Sequence, residues 1–170
     1  LAVAIVSFVY FLPVLFIIEN NKYGMGTSQT RHAAGELYKR GEAYGIPGEK
    51  INGMDVLEVY EAAKVAVDFV RKEGQPYFLE IDTYRFRGHS MGDPERYRKA
   101  EEVKKWQEND PIGIFNKYLL DKKIATRKAL DEIEARVEEE VIKAVEFAET
   151  SPEPAPEELY TDIYVDEVSK

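Results

Sequence analysis

A chain of 170 residues with 44% apolar and 32% charged side chains is long enough for one domain with a hydrophobic core, and its composition argues against disorder. The absence of cysteine excludes disulfides and thiolate metal sites or nucleophiles. Residues 101–170 carry 19 acidic and 10 basic side chains and supply the whole net charge of -9, whereas residues 1–100 carry 13 of each; this argues against a broadly basic nucleic-acid-binding surface.

The first 18 residues, LAVAIVSFVYFLPVLFII, are uncharged. Their length suits a membrane span, but Pro13 splits them and β-branched and aromatic residues are frequent. Two buried strands, near Leu1–Phe11 and Val14–Glu19, are the preferred expectation, because strands covered on both faces read as continuous apolar runs. ENNKYGMGTSQT follows as a polar, glycine-bearing loop. Residues Ala33–Tyr44 predict a short helix that ends at Gly45, with Pro47 beyond it. INGMD reads as a turn. Asp55, with Glu58 three residues on, opens the next helix in the manner of a capping box. Val56, Tyr60, Ala63, Val67 and Val70 mark the apolar face of that helix, which stops at Gly74 and Pro76.

YFLEIDTY predicts a strand whose end opens TYRFRGHSMGDPERYR. Helices are expected near Glu101–Glu108, Pro111–Leu120 and Thr126–Glu149, the last with a stripe of Leu130, Ile133, Val137, Val141, Ala144 and Ala148. Residues 1–150 then read as one α/β domain, and 151–170 as an acidic, Pro-rich tail whose Leu, Tyr, Ile and Val suggest docking on a partner. Strand and helix alternate as in an α/β fold with a mainly parallel sheet flanked by helices and a helical C-terminal region. Ligands of open α/β sheets bind beyond the carboxyl ends of the strands. Both polar loops leave such ends and are expected to converge on one site.

The second loop concentrates Arg85, Arg87, Arg96, Arg98 and Lys99 around His89 and Ser90, against only Asp93 and Glu95. Such local positive charge in an otherwise neutral half points to a small anion. His89 can also move protons near neutral pH, whereas His32 has no such setting. Repulsion between the cations predicts a loop that is held chiefly by its anion. In the first loop Asn21 and Tyr23 are spaced to offer an amide oxygen and a backbone carbonyl to Mg²⁺. By themselves the same residues more readily make an ordinary turn, the preferred reading of NNKYG alone.

ENNKYGMGTSQT, GIPGEKINGMDVLEVYEAAKVAV, TYRFRGHSMGDPERYR and DPIGIFNKYLL together resemble the alpha subunit of the pyruvate dehydrogenase decarboxylating component, a 2-oxo acid dehydrogenase. SPEPAPEELYTDIY is similar to bacterial and plastid members. The resemblance implies part of a thiamine-diphosphate-binding fold and an α2β2 heterotetramer, with thiamine diphosphate and Mg²⁺ between an alpha and a beta subunit. It implies decarboxylation of a 2-oxo acid, with acyl transfer to a lipoyl-bearing acyltransferase component. Asn21 and Tyr23 would be the Mg²⁺ ligands, His89 the catalytic residue facing the diphosphate, and Arg85 the organiser of the loop at the cofactor. Ser90 matches the position that mitochondrial relatives use for regulatory phosphorylation, but DPERYR replaces the second phosphorylated serine. A bacterial-type cytoplasmic enzyme is therefore expected, with plastid or mitochondrial matrix as alternatives and no membrane partner. GHSMGDP leans toward pyruvate over acetoin or branched-chain 2-oxo acids.

The family pairs its Asn-Asn loop with an upstream Gly-Asp-Gly whose aspartate binds Mg²⁺. Here no Gly-Asp-Gly occurs, and no Asp precedes Asp55. LAVAIVSF looks like the strand that leads into that motif, yet it abuts LPVLFIIENN directly. Parallel neighbours need a crossover of roughly a dozen residues, so these two strands are not expected to pair in the usual way. The expectation is a carboxy-terminal portion or an internally deleted alpha subunit, inactive alone. A non-catalytic remnant that only assembles with a partner is the rival.

Overall fold

The computed structural model describes residues 2–161, with side chains from residue 6 onward. The chain forms two compact units, one ending at Asp121 and the other beginning at Lys122.

The first unit is built on a three-stranded parallel sheet. Its strands are β1 (Leu15–Asn20), β4 (Gly48–Asn52) and β5 (Tyr77–Asp82), with β5 in the centre. The register sets Ile18 and Lys50 opposite Glu80, and Asn20 and Asn52 opposite Asp82, so all three strands end level with one another. α3 (Val56–Glu73) crosses over between β4 and β5. Its N-cap Asp55 accepts from the N–H groups of Leu57 and Glu58, satisfying donors that no helical carbonyl reaches. Glu58 reaches back to the N–H of Asn52 at 2.8 Å rather than to Asp55, a variant of the expected capping box. Gly74, at φ 62°, ends the helix in the left-handed region that glycine enters without strain. Leu79, Ile46, Ala66 and Val70 are core residues of this unit, and helices flank the sheet as an α/β pattern requires.

Three sequence expectations need correction. Residues 2–9, expected as a strand within Leu1–Phe11, form helix α1 (Ala2–Val9). A strand there has no room for a parallel crossover before β1, whereas a helix satisfies its backbone groups internally. Val9, Tyr10, Phe11 and Leu12 remain exposed. Among the described residues, no helix is long and apolar enough to cross a membrane.

Of the helix expected over Ala33–Tyr44, only Tyr38–Tyr44 is helical, as a 3-10 helix, while α2 (Gln29–His32) ends before that range begins. Gly35, at φ 70°, interrupts it. The turn predicted at INGMD falls on Gly53 and Met54, and GEKIN, where the sequence predicts no strand, is strand β4. Its residues have weak strand preference, and pairing along the central β5 overrides that preference. α4 (Ala100–Gln107) and α5 (Pro111–Asp121) follow as expected.

The second unit is dominated by α6 (Arg127–Thr150), capped by the Thr126 hydroxyl accepting from the Ala129 N–H at 3.2 Å. Leu130 is buried, while Ile133, Val137 and Val141 of the same stripe are about half exposed. The acidic tail carries a 3-10 helix at Pro156–Tyr160, and its last part, Asp162 to Lys170, lies outside the described residues.

Candidate functional site

Because β1 and β5 are parallel neighbours ending in register at Asn20 and Asp82, both polar loops depart from one edge of the sheet. The N–H of Thr83 donates to the carbonyl of Asn20 at 2.9 Å and ties the two departures together. Sequence order placed the loops 60 residues apart. Parallel pairing brings them together.

The asparagine loop folds on its own side chains. Asn20 Oδ1 accepts from the N–H of Lys22, and Asn21 Oδ1 accepts from the N–H of Tyr23, both at 3.2 Å. Lys22 takes φ 72° and Met25 φ 51°. Such left-handed geometry costs roughly 1–2 kcal/mol for a residue other than glycine, and it is tolerated where surrounding bonds enforce it. The short strands β2 (Tyr23–Gly24) and β3 (Thr27–Ser28) close the loop as a hairpin. Asn20, Asn21, Lys22, Tyr23, Gln29 and His32 line a cavity of about 170 Å³. Burial and the neighbouring Lys50 ammonium lower the Lys22 pKa, and the ion pair with Asp82 holds its side chain.

The histidine loop is organised around two branch points. Asp93 is the first: its Oδ2 accepts from the His89 N–H and the Tyr97 hydroxyl, each at 2.7 Å, and its Oδ1 from the Glu95 N–H at 2.9 Å. The His89 N–H, the Tyr97 hydroxyl and the Glu95 N–H together hold the Asp93 carboxyl down at about 2. Arg98 is the second, with its side chain only 1% exposed. Its Nε and Nη2 donate to Glu95 Oε2 at 2.9 and 2.5 Å, Nη2 also to the Phe86 carbonyl at 3.0 Å, and Nη1 to the Arg85 carbonyl. The rings of Tyr84, Tyr23 and Tyr97 surround this guanidinium at 5.4, 5.8 and 5.9 Å, within reach of cation–π attraction. Repulsion among the cations, expected to leave the loop dependent on its anion, is thus offset internally by Asp93, Glu95 and backbone carbonyls.

Several contacts join the two loops. Arg85 Nη2 donates to the Met25 carbonyl at 2.7 Å and to the Tyr97 hydroxyl at 3.0 Å. The Tyr23 and Tyr97 rings lie 5.4 Å apart. A Cβ on Gly26 would stand 2.9 Å from Tyr97 Cδ1, so only glycine lets the asparagine loop lie against that ring. From α4, Glu102 Oε1 accepts from the Tyr23 and Tyr84 hydroxyls, each at 2.8 Å. Burial, followed by that hydrogen bond, pushes the Tyr84 phenol up to about 12.

Arg85 therefore stands as a staple between the loops, with Nε and Nη2 both engaged by protein groups. Asn21 and Tyr23 border the smaller cavity. His89 and Ser90 lie on the exposed arm and line a second cavity of about 440 Å³ with Arg87, Met91, Asp93 and Glu95. The two pairs thus open on separate cavities of one loop assembly. The residue types alone did not single out Asn20, Glu80, Asp93 and Tyr97, and offered Arg98 only as one of several cations. Asp93 two residues before Glu95 was an available turn signal.

A magnesium ion takes about six oxygen ligands and usually keeps water and substrate phosphates among them. Asn21 Oδ1, which accepts from the Tyr23 N–H, and the Tyr23 carbonyl are neutral oxygens of the kind such an ion takes. Among the described residues, no group of three or more acidic or histidine side chains could hold a metal ion by itself. The Thr83 Oγ1 at the root of the histidine loop is buried and has no hydrogen-bond partner, which leaves it available to a polar ligand or water.

A family profile described as "Dehydrogenase E1 component" matches residues 4–157. A protein of Rickettsia bellii named "Pyruvate dehydrogenase E1 component subunit alpha" is 52% identical over 155 residues, which cover 91% of this chain and 48% of the relative. Its namesake in Rhizobium meliloti is 47% identical, over 89% of this chain and 44% of the relative. The chloroplastic "Pyruvate dehydrogenase E1 component subunit alpha-3" of Arabidopsis thaliana is 43% identical, over 92% and 37%. The chain thus spans about half or less of the length of these relatives. With the profile running through both loops and the central strands that carry them, the chain belongs to the dehydrogenase E1 component family.

Proposed function

We propose that the chain is part of the alpha subunit of a pyruvate dehydrogenase that decarboxylates pyruvate oxidatively and passes the acyl group to a lipoyl arm. The observation that carries this reading is the 52% identity, across 91% of the chain, to a relative bearing that name. The names of the relatives above support pyruvate over acetoin or a branched-chain 2-oxo acid.

In this reading Asn21 Oδ1 and the Tyr23 carbonyl would hold the Mg²⁺ that accompanies thiamine diphosphate. The bound cofactor supplies the electron sink for decarboxylation. The residues of this chain position and polarise. Arg85 keeps the two loops together, so that the cation-rich arm and the metal turn act on one anion. Asp93 fixes the backbone of His89, leaving the imidazole on the exposed arm to exchange a proton with the lipoyl thiol or substrate oxygen. Ser90 borders the same cavity, where a phosphoryl group would add negative charge. A beta subunit completes the site in an α2β2 assembly, and an acyltransferase presents the lipoyl group. The tail from residue 151 docks on a partner subunit. The setting is a bacterial-type cytoplasm or the matrix of a plastid or mitochondrion.

The test is co-purification with a beta subunit, followed by pyruvate-dependent acylation of a lipoyl domain. Acylation that requires pyruvate, thiamine diphosphate and Mg²⁺ is expected from an assembly containing the full alpha subunit. Thiamine diphosphate is expected to bind the present chain alone weakly and in a salt-sensitive manner, because it offers the metal only neutral oxygens. Preference for another 2-oxo acid would overturn the assignment to pyruvate.

A further inference from the structure

Strand β5 presents two carboxylates, Glu80 and Asp82, to the loop that leaves its neighbour β1, and each takes one residue of that loop. Glu80 is completely buried. Its Oε1 accepts from Asn20 Nδ2 at 2.6 Å and its Oε2 from the N–H of Tyr38 at 3.0 Å. Asn20, only 5% exposed, uses its remaining side-chain capacity locally. Its Nδ2 also donates to Gln29 Oε1 at 2.9 Å, and its Oδ1 accepts from the Lys22 N–H. Lys22 in turn is ion-paired to Asp82. Residues 20 and 22 are thus fastened to β5, and all four residues from Asn20 to Tyr23 border the cavity.

A carboxylate in the middle of YFLEIDTY is costly, since a buried charge loses several kcal/mol of hydration. Its register neighbours here are Ile18 and Lys50, and the Lys50 ammonium pairs with Asp82 Oδ1 at 3.7 Å. The demand for a carboxylate comes from the loops. Asn20 Nδ2 and the Tyr38 N–H are both donors, so the group between them must accept twice. A carboxylate does this, whereas a glutamine would turn its own NH₂ toward one of the two.

We propose that Glu80 is a positioning residue for the cofactor-binding turn. By fixing the Asn20 amide it sets the left-handed turn at Lys22 and hence the places of Asn21 Oδ1 and the Tyr23 carbonyl. This role rests on the metal-binding assignment under the proposed function, although the anchoring itself does not.

The experiment uses the ¹⁵N-labelled full chain, with Glu80→Gln compared to Val70→Ala in the core of α3. Glu80→Gln is expected to speed hydrogen exchange of the Lys22 and Tyr38 amides about tenfold more than that of Leu79 in β5. Val70→Ala is expected to speed all of them together. If Glu80→Gln does not fold, Asn20→Asp keeps the oxygen that accepts from the Lys22 N–H but removes the donor to Glu80, and is expected to speed Lys22 exchange selectively. Unchanged Lys22 exchange, or an equal effect from Val70→Ala, overturns the proposal. In a second arm, Mn²⁺ with thiamine diphosphate is expected to broaden the Asn21 and Tyr23 signals of the parent chain, and about tenfold less at equal concentration in Glu80→Gln. Equal broadening in both overturns the positioning role. No broadening in the parent chain counts against the metal assignment instead, and the exchange arm still decides the anchor.

Discussion

Arg85 Nη2 donates to the carbonyl oxygen of Met25 at 2.7 Å, bonding the base of the histidine loop directly to the asparagine loop. The guanidinium that the sequence offers as a ligand for an anion therefore acts first as a staple. Arg85→Lys keeps the charge but cannot reproduce the planar fork that reaches Met25, Arg87 and Tyr97. We expect this variant to lose about 1–2 kcal/mol of stability, read as a lower urea midpoint with an unchanged slope. Faster exchange of amides in both loops is the accompanying signature. An effect confined to one loop would contradict the staple.

Arg98 holds the far end of the histidine loop. Removing a buried, paired guanidinium leaves the Arg85 and Phe86 carbonyls and Glu95 without their donor, and such losses cost about 3–5 kcal/mol. Arg98→Ala is expected to destabilise the chain by roughly that amount, whereas Arg96→Ala, at an exposed position, is expected to change it by less than about 0.5 kcal/mol. Chemical denaturation of the two variants side by side is the check.

The Asp93 carboxyl titrates near 2, below its ordinary value of 3.8. A depressed carboxylate pKa contributes order that is complete above the ordinary value and is lost as pH falls through the folded one. The His89 and Glu95 amide signals are therefore expected to keep their neutral-pH positions down to about pH 4 and to move with a midpoint near 2. Asp93→Asn is expected to abolish that step. Tyr84 gives the opposite sign: its phenol is raised to about 12, so its contribution is complete below the ordinary value of 10.0 and is lost as pH rises toward 12. Absorbance at the tyrosinate band is expected to show a late-titrating fraction that Glu102→Gln shifts to lower pH.

The parallel sheet was legible where the code is local. YFLEIDTY as a strand, Asp55 as a cap, Gly74 as a stop and the capped long helix all rest on short-range chemistry. What could not be read depends on neighbours distant in sequence. The apolar run at residues 2–9 suits either a strand or a helix, and only the lack of room for a crossover decides for the helix. Strand β4 exists because β5 pairs with it. In the site, residue types pointed to an anion through charge alone. Charge counting, however, could not reveal that Arg85 and Arg98 are already engaged by carbonyls and carboxylates.

Ser90 lies exposed on the rim of the His89 cavity, with Asp93 and Glu95 on the same lining. In a complete α2β2 assembly, Ser90→Glu places a further negative charge there. We expect at least about a tenfold loss of lipoyl acylation, with stability changed by less than about 0.5 kcal/mol as for other surface substitutions. Unchanged acylation would count against placing this loop at the cofactor.

Titration of the ¹⁵N-labelled chain with thiamine diphosphate and Mg²⁺ at low salt most directly tests whether the two loops make one anion site. The signals of Asn21, Lys22 and Tyr23 and those of Gly88, His89 and Ser90 are expected to shift along a single saturation curve that weakens as salt is added. Movement of one loop without the other, or two curves with separate midpoints, would contradict it.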